Sequence, residues 1–269
     1  MKTRVISAVL LLAIAVAAVF LSFYTRVLLF AVCGGLCMHE LVVNLKDKGI
    51  NCASWVLYLF FAAMLFLTYT HCGWMTYIAC FIAAAYLSLT SGVLNKNVSA
   101  EGAVYTVFAL AYPCYPMGLA MIIASSHRWL PTLAIGCLCT WMCDTFALLG
   151  GSRFGKHKLC PAVSPNKTIE GSVCGAIAAV ITGIIIYFGS QYISLSAITP
   201  LPLYVCLIIS FLASTAGQIG DLAESLIKRF LGVKDFSNLI PGHGGMFDRV
   251  DSLMFSIPTA YLCLYIFGF

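Results

Sequence analysis

Charged side chains are scarce in this chain, since Asp, Glu, Lys and Arg together make up only 9% of its 269 residues. Hydrophobic residues account for 61%, and the mean hydropathy is +0.98. This composition excludes an ordinary soluble domain, in which about a quarter of the residues are charged. The chain is therefore expected to lie in a membrane, where each charge that is kept is costly and informative.

Several common catalytic and metal-binding motifs are also missing. The glycines at 242, 244 and 245 precede Asp248 and Arg249 rather than Lys and Ser or Thr, which excludes a Walker phosphate loop. His39 and Glu40 begin like a zinc-protease helix, but Val43 stands where the second His is needed. None of the 13 cysteines has the spacing of a structural zinc site. We interpret them as small packing residues of membrane helices rather than as a disulfide framework.

Apolar runs of membrane-spanning length recur along the chain. We predict an all-α, polytopic integral membrane protein with about nine transmembrane helices and a polar active-site cleft on the cytoplasmic side. The nine predicted spans are roughly 5–24, 26–44, 53–70, 74–92, 101–125, 130–150, 168–190, 201–227 and 250–268. The first is expected to be a retained helix, because its apolar run is longer than that of a usual signal peptide. Pro113 and Pro116 are expected to kink the fifth span.

The basic residues predict an orientation. With nine spans, 13 of the 15 Lys and Arg residues fall on the N-terminal side, and only Arg26 and Arg128 fall on the other. Basic residues are enriched in cytoplasmic loops, so the N-terminus should be cytoplasmic and the C-terminus external. The net charge of +5 then lies almost wholly on one face, which suits anionic lipid headgroups or a nucleotide.

Polar chemistry is concentrated in the second half of the chain. Residues 1–130 are predicted to form an N-terminal transmembrane scaffold, and residues 131–269 a C-terminal transmembrane catalytic region. Asp144 falls well inside the sixth span, where a carboxylate costs roughly 2.5–3.5 kcal/mol to insert. It is a structural residue bonded to a Ser or Thr on a neighbouring helix, a cation ligand, or the partner of a basic residue from the loops.

A second polar segment precedes the seventh span. Ser164 followed by Pro165 matches an N-cap and first helical position, which predicts a helix start here. The free amides at such a helix end favour an anion, with Lys167 in the same turn. A plain helix cap at the membrane interface is the alternative.

A third pattern closes the eighth span. Asp221, Glu224, Ser225 and Lys228 are spaced at three, four and seven residues, which places them on one face of a helix. Glu224 and Lys228 alone could be a simple salt bridge one turn apart. A whole polar stripe opposite apolar residues indicates instead the wall of an aqueous cleft.

The fourth pattern is the glycine turn before the last span. Its glycines allow backbone amides to approach a phosphate, and His243 could donate to a phosphate oxygen. Asp251 would suit a helix N-terminus, a role that explains Asp248 less well. Carboxylate oxygens beside Lys and Arg indicate Mg²⁺ held partly by substrate phosphates. Such a site acts by positioning and by neutralising charge at phosphorus.

The last two patterns together resemble a known family. The chain reads Ser225-x2-Lys228-Arg229-x4-Lys234-Asp235-x-Ser237-x2-Ile240-Pro241-Gly242-His243-Gly244-Gly245-x2-Asp248-Arg249-x-Asp251-Ser252. This resembles the defining motif of the phosphatidate cytidylyltransferases (CDP-diacylglycerol synthases). The segments at 144–147, 151–157 and 164–171 are also similar to the family, with departures at Leu148, Asn166 and Ile169. The resemblance is strong from about residue 100 onward and is closest in form to bacterial members.

The resemblance implies transfer of CMP from CTP to phosphatidic acid, which gives CDP-diacylglycerol and pyrophosphate for phospholipid synthesis. It implies CTP, phosphatidic acid and the lipid bilayer as partners, Mg²⁺ as cofactor, and no nucleic acid. It also implies a bacterial inner-membrane location, and it leaves room for a homodimer.

The expected site residues form three groups. The expected catalytic residues are Asp221, Asp248, Lys228 and Arg249. The expected metal ligands are Asp221 and Asp248, followed by Asp144 and Asp251. The expected substrate contacts are Lys167, Ser164, Thr168, Ser225, Arg229, Lys234, His243, Gly244 and Gly245. Because the lipid phosphate is already an anion, we expect direct in-line displacement without a covalent enzyme intermediate.

Two other functions remain open at this point. A CTP-dependent polyprenol or phytol kinase would use a similar site but transfer the γ-phosphoryl group and release CDP. An ion-coupled transporter would use Asp144 and Asp221. A transporter of this kind would have charged residues near the membrane midplane on several helices, whereas in this sequence the charged residues are concentrated on the predicted cytoplasmic side.

Overall fold

The computed structural model describes residues 13–192, 200–239 and 244–269, and this part of the chain is mostly helical. In chain order the elements are α1 (13–21), α2 (Phe23–Asp47), α3 (Ser54–Tyr69), α4 (Trp74–Leu94), α5 (Ala100–Ala109), α6 (Tyr115–Ser125), α7 (Trp129–Leu133), α8 (Thr140–Phe154), β1 (Lys158–Cys160), β2 (Ser164–Thr168), α9 (Ile169–Tyr192), α10 (Leu203–Leu231), α11 (Phe247–Val250) and α12 (Leu253–Ile266). Short π-helical turns join α5 to α6 and α7 to α8.

Six helical segments within the described residues are long and apolar enough to cross a membrane. They are Phe23–Asp47, Trp74–Leu94, Ala100–Ser125, Trp129–Phe154, Ile169–Tyr192 and Leu203–Leu231. The third and ninth predicted spans correspond to shorter helices, α3 with 16 residues and α12 with 14. Much of the first predicted span lies outside the described residues. The structure thus supports a helical membrane protein, but the count of nine spans is not confirmed.

Large apolar side chains point away from the protein along these helices. Trp74 is 70% exposed, Val93 83% and Ile185 65%. Apolar exposure on this scale is unfavourable in water, whereas contact with lipid tails removes the penalty. The outer faces of the helices therefore match the membrane environment that the composition predicts.

The chain divides into two compact units. The first unit contains Met1–Ser125 and Leu231–Arg249, and the second contains Ser126–Phe230 and Val250–Phe269. The described residues of the segment 231–249, which include Gly244 and Gly245, thus pack with the N-terminal helices. The functional division at residue 130 stays a prediction.

In the first unit, the start of α2 and the bend in the fifth predicted span follow from local sequence. The Ser22 Oγ accepts a hydrogen bond from the Thr25 amide at 3.1 Å, and the Thr25 hydroxyl accepts one from the Ser22 amide at 3.1 Å. This reciprocal cap satisfies amides that have no partner within the helix. Further along, Tyr112 leaves the helical conformation at φ −154° and ψ 110°, immediately before Pro113. The predicted kink is therefore confirmed at Pro113, which cannot continue the helix, whereas Pro116 lies in the first turn of α6.

In the second unit, small residues let α8 and α9 pack closely. A methyl group at Gly150 would lie 2.5 Å from the Cys174 Cβ, and one at Gly175 would lie 2.6 Å from the Cys143 carbonyl oxygen. The 13 cysteines are free thiols, and Cys143 belongs to the buried core. Cysteine therefore packs here as a small apolar residue, as predicted.

A two-stranded antiparallel sheet replaces the predicted helix start at Ser164. Thr168 pairs with Lys158, and Ser164 pairs with Cys160. The prediction of an N-cap at Ser164 is wrong, because α9 begins only at Ile169. Pro165 lacks a backbone donor but is tolerated in this strand, since a strand in a two-stranded sheet is an edge strand.

Candidate active site

A group of three carboxylates lies at the end of α10 and before α12 in the second unit. Asp221, Glu224 and Asp251 each offer an oxygen, and these oxygens lie within 4.8 Å of one another. Glu224 is 1% exposed. Three negative charges this close repel one another strongly, so the group favours a cation in its midst.

Two lysines partly compensate this negative charge. The Lys167 ammonium forms an ion pair with Asp221, and the Lys228 ammonium lies 2.7 Å from the Glu224 carboxylate. Both lysines are largely shielded, with side-chain exposures of 27% and 15%. Ion pairs are least screened where water is excluded, so these two pairs are stronger than ordinary surface pairs.

Gly220 in α10 explains how Asp251 can lie close to the helix that carries Asp221. A methyl group at Gly220 would lie 2.7 Å from the Asp251 carbonyl oxygen and 2.9 Å from the Phe255 ring. Only a residue without a side chain allows α10 to approach the turn before α12 this closely. The helical spacing of Asp221, Glu224 and Lys228 then places all three on the same side of α10.

Asp144 belongs to the same electrostatic neighbourhood. It lies on α8, where its carboxylate interacts electrostatically with Asp221 and Lys167. Asp251 also interacts with Asp144 and Lys228. The structure therefore groups two of the four predicted metal ligands, Asp221 and Asp251, and Asp144 interacts with them electrostatically. It adds Glu224, which the sequence analysis placed in the polar stripe but not among the metal ligands.

The hairpin formed by β1 and β2 holds Lys167 in place. The Glu170 carboxylate accepts hydrogen bonds from the Lys156 amide at 3.1 Å and from the His157 Nδ1 at 2.6 Å. The Thr168 Oγ1 accepts one from the Gly171 amide at 3.1 Å. Thr168 therefore caps α9, the role that the sequence analysis assigned to Ser164.

The other predicted substrate contacts of the second unit lie close in sequence to Lys167 or Lys228 and differ in burial. Ser164 begins β2 and is half-buried, and Ser225 is buried on α10. Arg229 is exposed, and its Nε donates to the Val163 carbonyl oxygen at 3.2 Å. This bond ties the hairpin to the end of α10.

The fourth predicted metal ligand, Asp248, lies in the first unit. Its Oδ2 accepts hydrogen bonds from the Phe236 amide at 3.0 Å and from the Gly245 amide at 2.8 Å. Gly244 has φ +79°, a left-handed conformation that favours glycine. The Asp248 carboxylate therefore holds two backbone amides of this segment, at Phe236 and Gly245. Arg249 follows it and is exposed.

Two further predicted substrate contacts have different outcomes. Lys234 is exposed in the same segment as Asp248. His243 lies outside the described residues.

Glu40 on α2 is a second carboxylate in contact with this segment. It accepts hydrogen bonds from Ser237, Met246 and Phe247. The sequence analysis considered Glu40 only as part of an absent zinc motif. No periodic pattern connects residue 40 to residues more than 190 positions away, so the contact leaves no signal in one sequence.

Comparison with known proteins adds an independent finding. A model of the cytidylyltransferase family matches residues 2–267. The chain is 37% identical to a phosphatidate cytidylyltransferase of Staphylococcus haemolyticus (strain JCSC1435) over 184 residues, which cover 68% of this chain and 67% of the relative. Phosphatidate cytidylyltransferases of Staphylococcus saprophyticus subsp. saprophyticus and Staphylococcus aureus (strain COL) are 36% and 35% identical over the same shares.

Proposed function

Since the chain belongs to the cytidylyltransferase family, we propose that this enzyme transfers CMP from CTP to phosphatidic acid and releases pyrophosphate. The product would be CDP-diacylglycerol. The observation that carries the proposal is the group of Asp221, Glu224 and Asp251 with Lys167 and Lys228 beside it. Carboxylates and ammonium groups in one place are what a reaction between two polyanions requires. Relatives named phosphatidate cytidylyltransferase support phosphatidic acid as the acceptor.

The donor set fits a magnesium ion. Mg²⁺ prefers oxygen ligands at about 2.1 Å, so two oxygens on the same ion lie no more than about 4.2 Å apart. The oxygens of Asp221, Glu224 and Asp251 lie within 4.8 Å, a separation that small side-chain rotations close. These three residues would hold the ion, with Asp144 near enough to add charge. When bound, Mg²⁺ would neutralise charge on the phosphates of CTP.

The lysines have a direct role in this proposal. Lys167 and Lys228 are paired with carboxylates in the structure, and an ammonium group has three donors that can be shared. When CTP binds together with the metal ion, the carboxylates would bind the metal and the lysines would bind phosphate oxygens. Lys167 and Lys228 would then orient CTP and offset the charge that builds up on the leaving pyrophosphate.

The reaction itself needs no strong base. An oxygen of the lipid phosphate, already anionic at neutral pH, forms the new bond to the α-phosphorus of CTP. The bond between the α-phosphorus and the bridging oxygen breaks, and pyrophosphate leaves with that electron pair. No proton has to be removed from the nucleophile, so the residues need only position and neutralise the two substrates.

We also propose that this site faces the cytoplasm. Contacts within each unit join helix ends that the cation count assigns to the same side. The Arg26 Nε donates to the Ala124 carbonyl oxygen at 2.8 Å, and both lie at ends assigned to the outside. Arg128 lies over the Tyr265 ring at 5.6 Å, again at two external ends. The staphylococcal relatives support a bacterial cell membrane as the location.

Product analysis tests the proposed function. The full chain, purified in detergent, would be mixed with CTP labelled at the α-phosphate and with phosphatidic acid, with and without Mg²⁺. We expect label in a lipid product, with one pyrophosphate released for each lipid labelled, and only when Mg²⁺ is present. Label that stays in CDP while the lipid gains a phosphate would show a kinase instead. Absence of any labelled product under all conditions would refute the proposed transfer.

A further inference from the structure

We propose that Glu40 is a positioning residue for the reaction, which holds the segment carrying Asp248 and Arg249 in its active conformation. This inference rests on the proposed function, because it assigns a part in that reaction to a residue of α2. Glu40 itself would touch neither substrate nor metal. It would act through the backbone of residues 245–247, directly before Asp248.

The contacts of Glu40 converge on one short stretch of chain. Its Oε1 accepts hydrogen bonds from the Ser237 hydroxyl at 2.6 Å and from the Met246 amide at 2.9 Å. Its Oε2 accepts one from the Phe247 amide at 2.9 Å. Hydrogen bonds to an ionised acceptor are shorter and stronger than neutral ones. The carboxylate therefore holds this stretch at two consecutive amides.

Because Glu40 is buried, the loss of any of its three hydrogen bonds would be costly. Glu40 is 6% exposed, so water does not readily replace a lost partner. A buried carboxylate without its donors would carry a large desolvation penalty, which keeps the loop and the carboxylate together. Close packing adds to this, since a methyl group at Gly245 would lie 2.6 Å and 2.7 Å from the two Glu40 oxygens.

Asn44 holds the other end of the same segment. It lies one turn after Glu40 on α2, and its Nδ2 donates to the Phe236 carbonyl oxygen at 2.8 Å. The amide of Phe236 donates in turn to Asp248, and the rings of Phe236 and Phe247 meet edge to face with centroids 4.4 Å apart. One face of α2 therefore holds the backbone at Phe236 and at Met246 and Phe247, on either side of the contacts that Asp248 makes.

This arrangement predicts how substitutions at Glu40 act. In Glu40→Gln, one end of the side chain becomes an NH₂ group, which faces a donor from Ser237, Met246 or Phe247 instead of accepting from it. Glu40→Asp keeps the charge but shortens the reach by one methylene. Neither variant can keep all three bonds, so the segment before Asp248 should loosen in both.

The test combines turnover with hydrogen exchange in the full chain. We expect Glu40→Gln to lower kcat on the order of 10- to 100-fold, the usual loss when a supporting residue of a site is removed. Exchange measured by mass spectrometry should speed up at the Met246 and Phe247 amides and stay unchanged in α2. Glu101→Gln, an exposed acid at the start of α5, is the charge-matched control and should change neither kcat nor this exchange.

The outcomes separate positioning from mere stability. A Glu40→Gln protein with wild-type kcat, or one whose Met246 and Phe247 amides stay protected, overturns the proposal. A lower Tm with wild-type kcat in the folded fraction would show a purely structural role and also overturns it. If Glu40→Gln does not fold, Ser237→Ala removes one of the three bonds and should still lower kcat and speed the same exchange. If the wild type makes no CDP-diacylglycerol, the proposed function fails, and exchange alone decides whether Glu40 holds the segment.

Discussion

Replacing Glu224 with Gln distinguishes a metal ligand from a simple salt bridge. Sequence spacing alone favours a salt bridge to Lys228, which lies 2.7 Å away. The structure also places Glu224 within 4.8 Å of oxygens from Asp221 and Asp251. If Glu224 helps to hold Mg²⁺, the substitution should remove most of the stabilisation that Mg²⁺ gives, while changing the metal-free protein little.

The expected magnitudes follow from the distances. At an effective dielectric constant of about 20, two carboxylate charges at the 4.8 Å limit of this group repel by about 3.5 kcal/mol, so at that limit Glu224→Gln relieves about 7 kcal/mol with two neighbours. It also loses an attraction of about 6 kcal/mol to Lys228 at 2.7 Å. These two effects nearly cancel, so the metal-free Tm should stay close to that of the wild type.

The response to Mg²⁺ should change far more. At a concentration 100 times the wild-type Kd, bound Mg²⁺ stabilises the protein by about 2.7 kcal/mol. If the variant binds about 100-fold more weakly, the same concentration gives only about 0.4 kcal/mol. The assay is thermal unfolding in detergent across a Mg²⁺ titration, followed by turnover at the same concentrations.

Lys228→Met provides the matched control. It breaks the same ion pair but leaves all three carboxylates, so it should lower the metal-free Tm and increase the stabilisation by Mg²⁺. If Glu224→Gln and Lys228→Met change the Mg²⁺ response in the same direction, Glu224 is only a salt-bridge partner. A Glu224→Gln protein with an unchanged Mg²⁺ response would also refute the reasoning.

Three further predictions address the site, the topology and the kinetics. Asp221→Asn and Asp248→Asn should each abolish turnover in protein that stays folded in detergent; near-normal activity at limiting Mg²⁺ would remove that residue from the ligands. In a background freed of native reactive thiols, a cysteine at 156–160 or at 236–238 should react with an impermeant thiol reagent only from the cytoplasmic side. A C-terminal tag should be reached only from outside; if the tag and the cysteines are reached from the same side, the span count is wrong by one. Double-reciprocal plots of the initial rate against the two substrates should intersect, and the enzyme should not exchange pyrophosphate into CTP when phosphatidic acid is absent. Parallel plots together with lipid-independent exchange would show a covalent intermediate.

Hydropathy and helical spacing predicted much of the helical framework. The predicted spans 74–92, 101–125 and 168–190 lie close to the helical segments Trp74–Leu94, Ala100–Ser125 and Ile169–Tyr192. Long apolar runs carry this information locally, because a helix that spans a bilayer needs about 20 consecutive, mostly apolar residues. The polar stripe from Asp221 to Lys228 was predictable for a related reason, since helical periodicity alone puts its members on one face.

Other features depend on contacts that local sequence does not encode. The hairpin around Pro165 was missed because Ser followed by Pro is compatible with both a helix start and an edge strand. Glu224 was not predicted as a metal ligand because its spacing to Lys228 also fits a simple salt bridge, whereas its approach to Asp251 depends on the packing of α10 at Gly220. The contact of Glu40 with Met246 arises only once α2 and the loop have folded together.

The close packing of α8 against α9 has a consequence for how the enzyme responds to bilayer thickness. A methyl group at Gly171 would lie 2.6 Å from the Ala147 carbonyl oxygen and 3.0 Å from the Gly151 Cα, so the two backbones touch without side chains between them. Helices adapt to a thicker or thinner bilayer mainly by tilting, and two helices joined in this way must tilt together. Asp144 on α8 and Lys167 in β2, two residues before α9 begins, should therefore keep their spacing across lipids of different chain length.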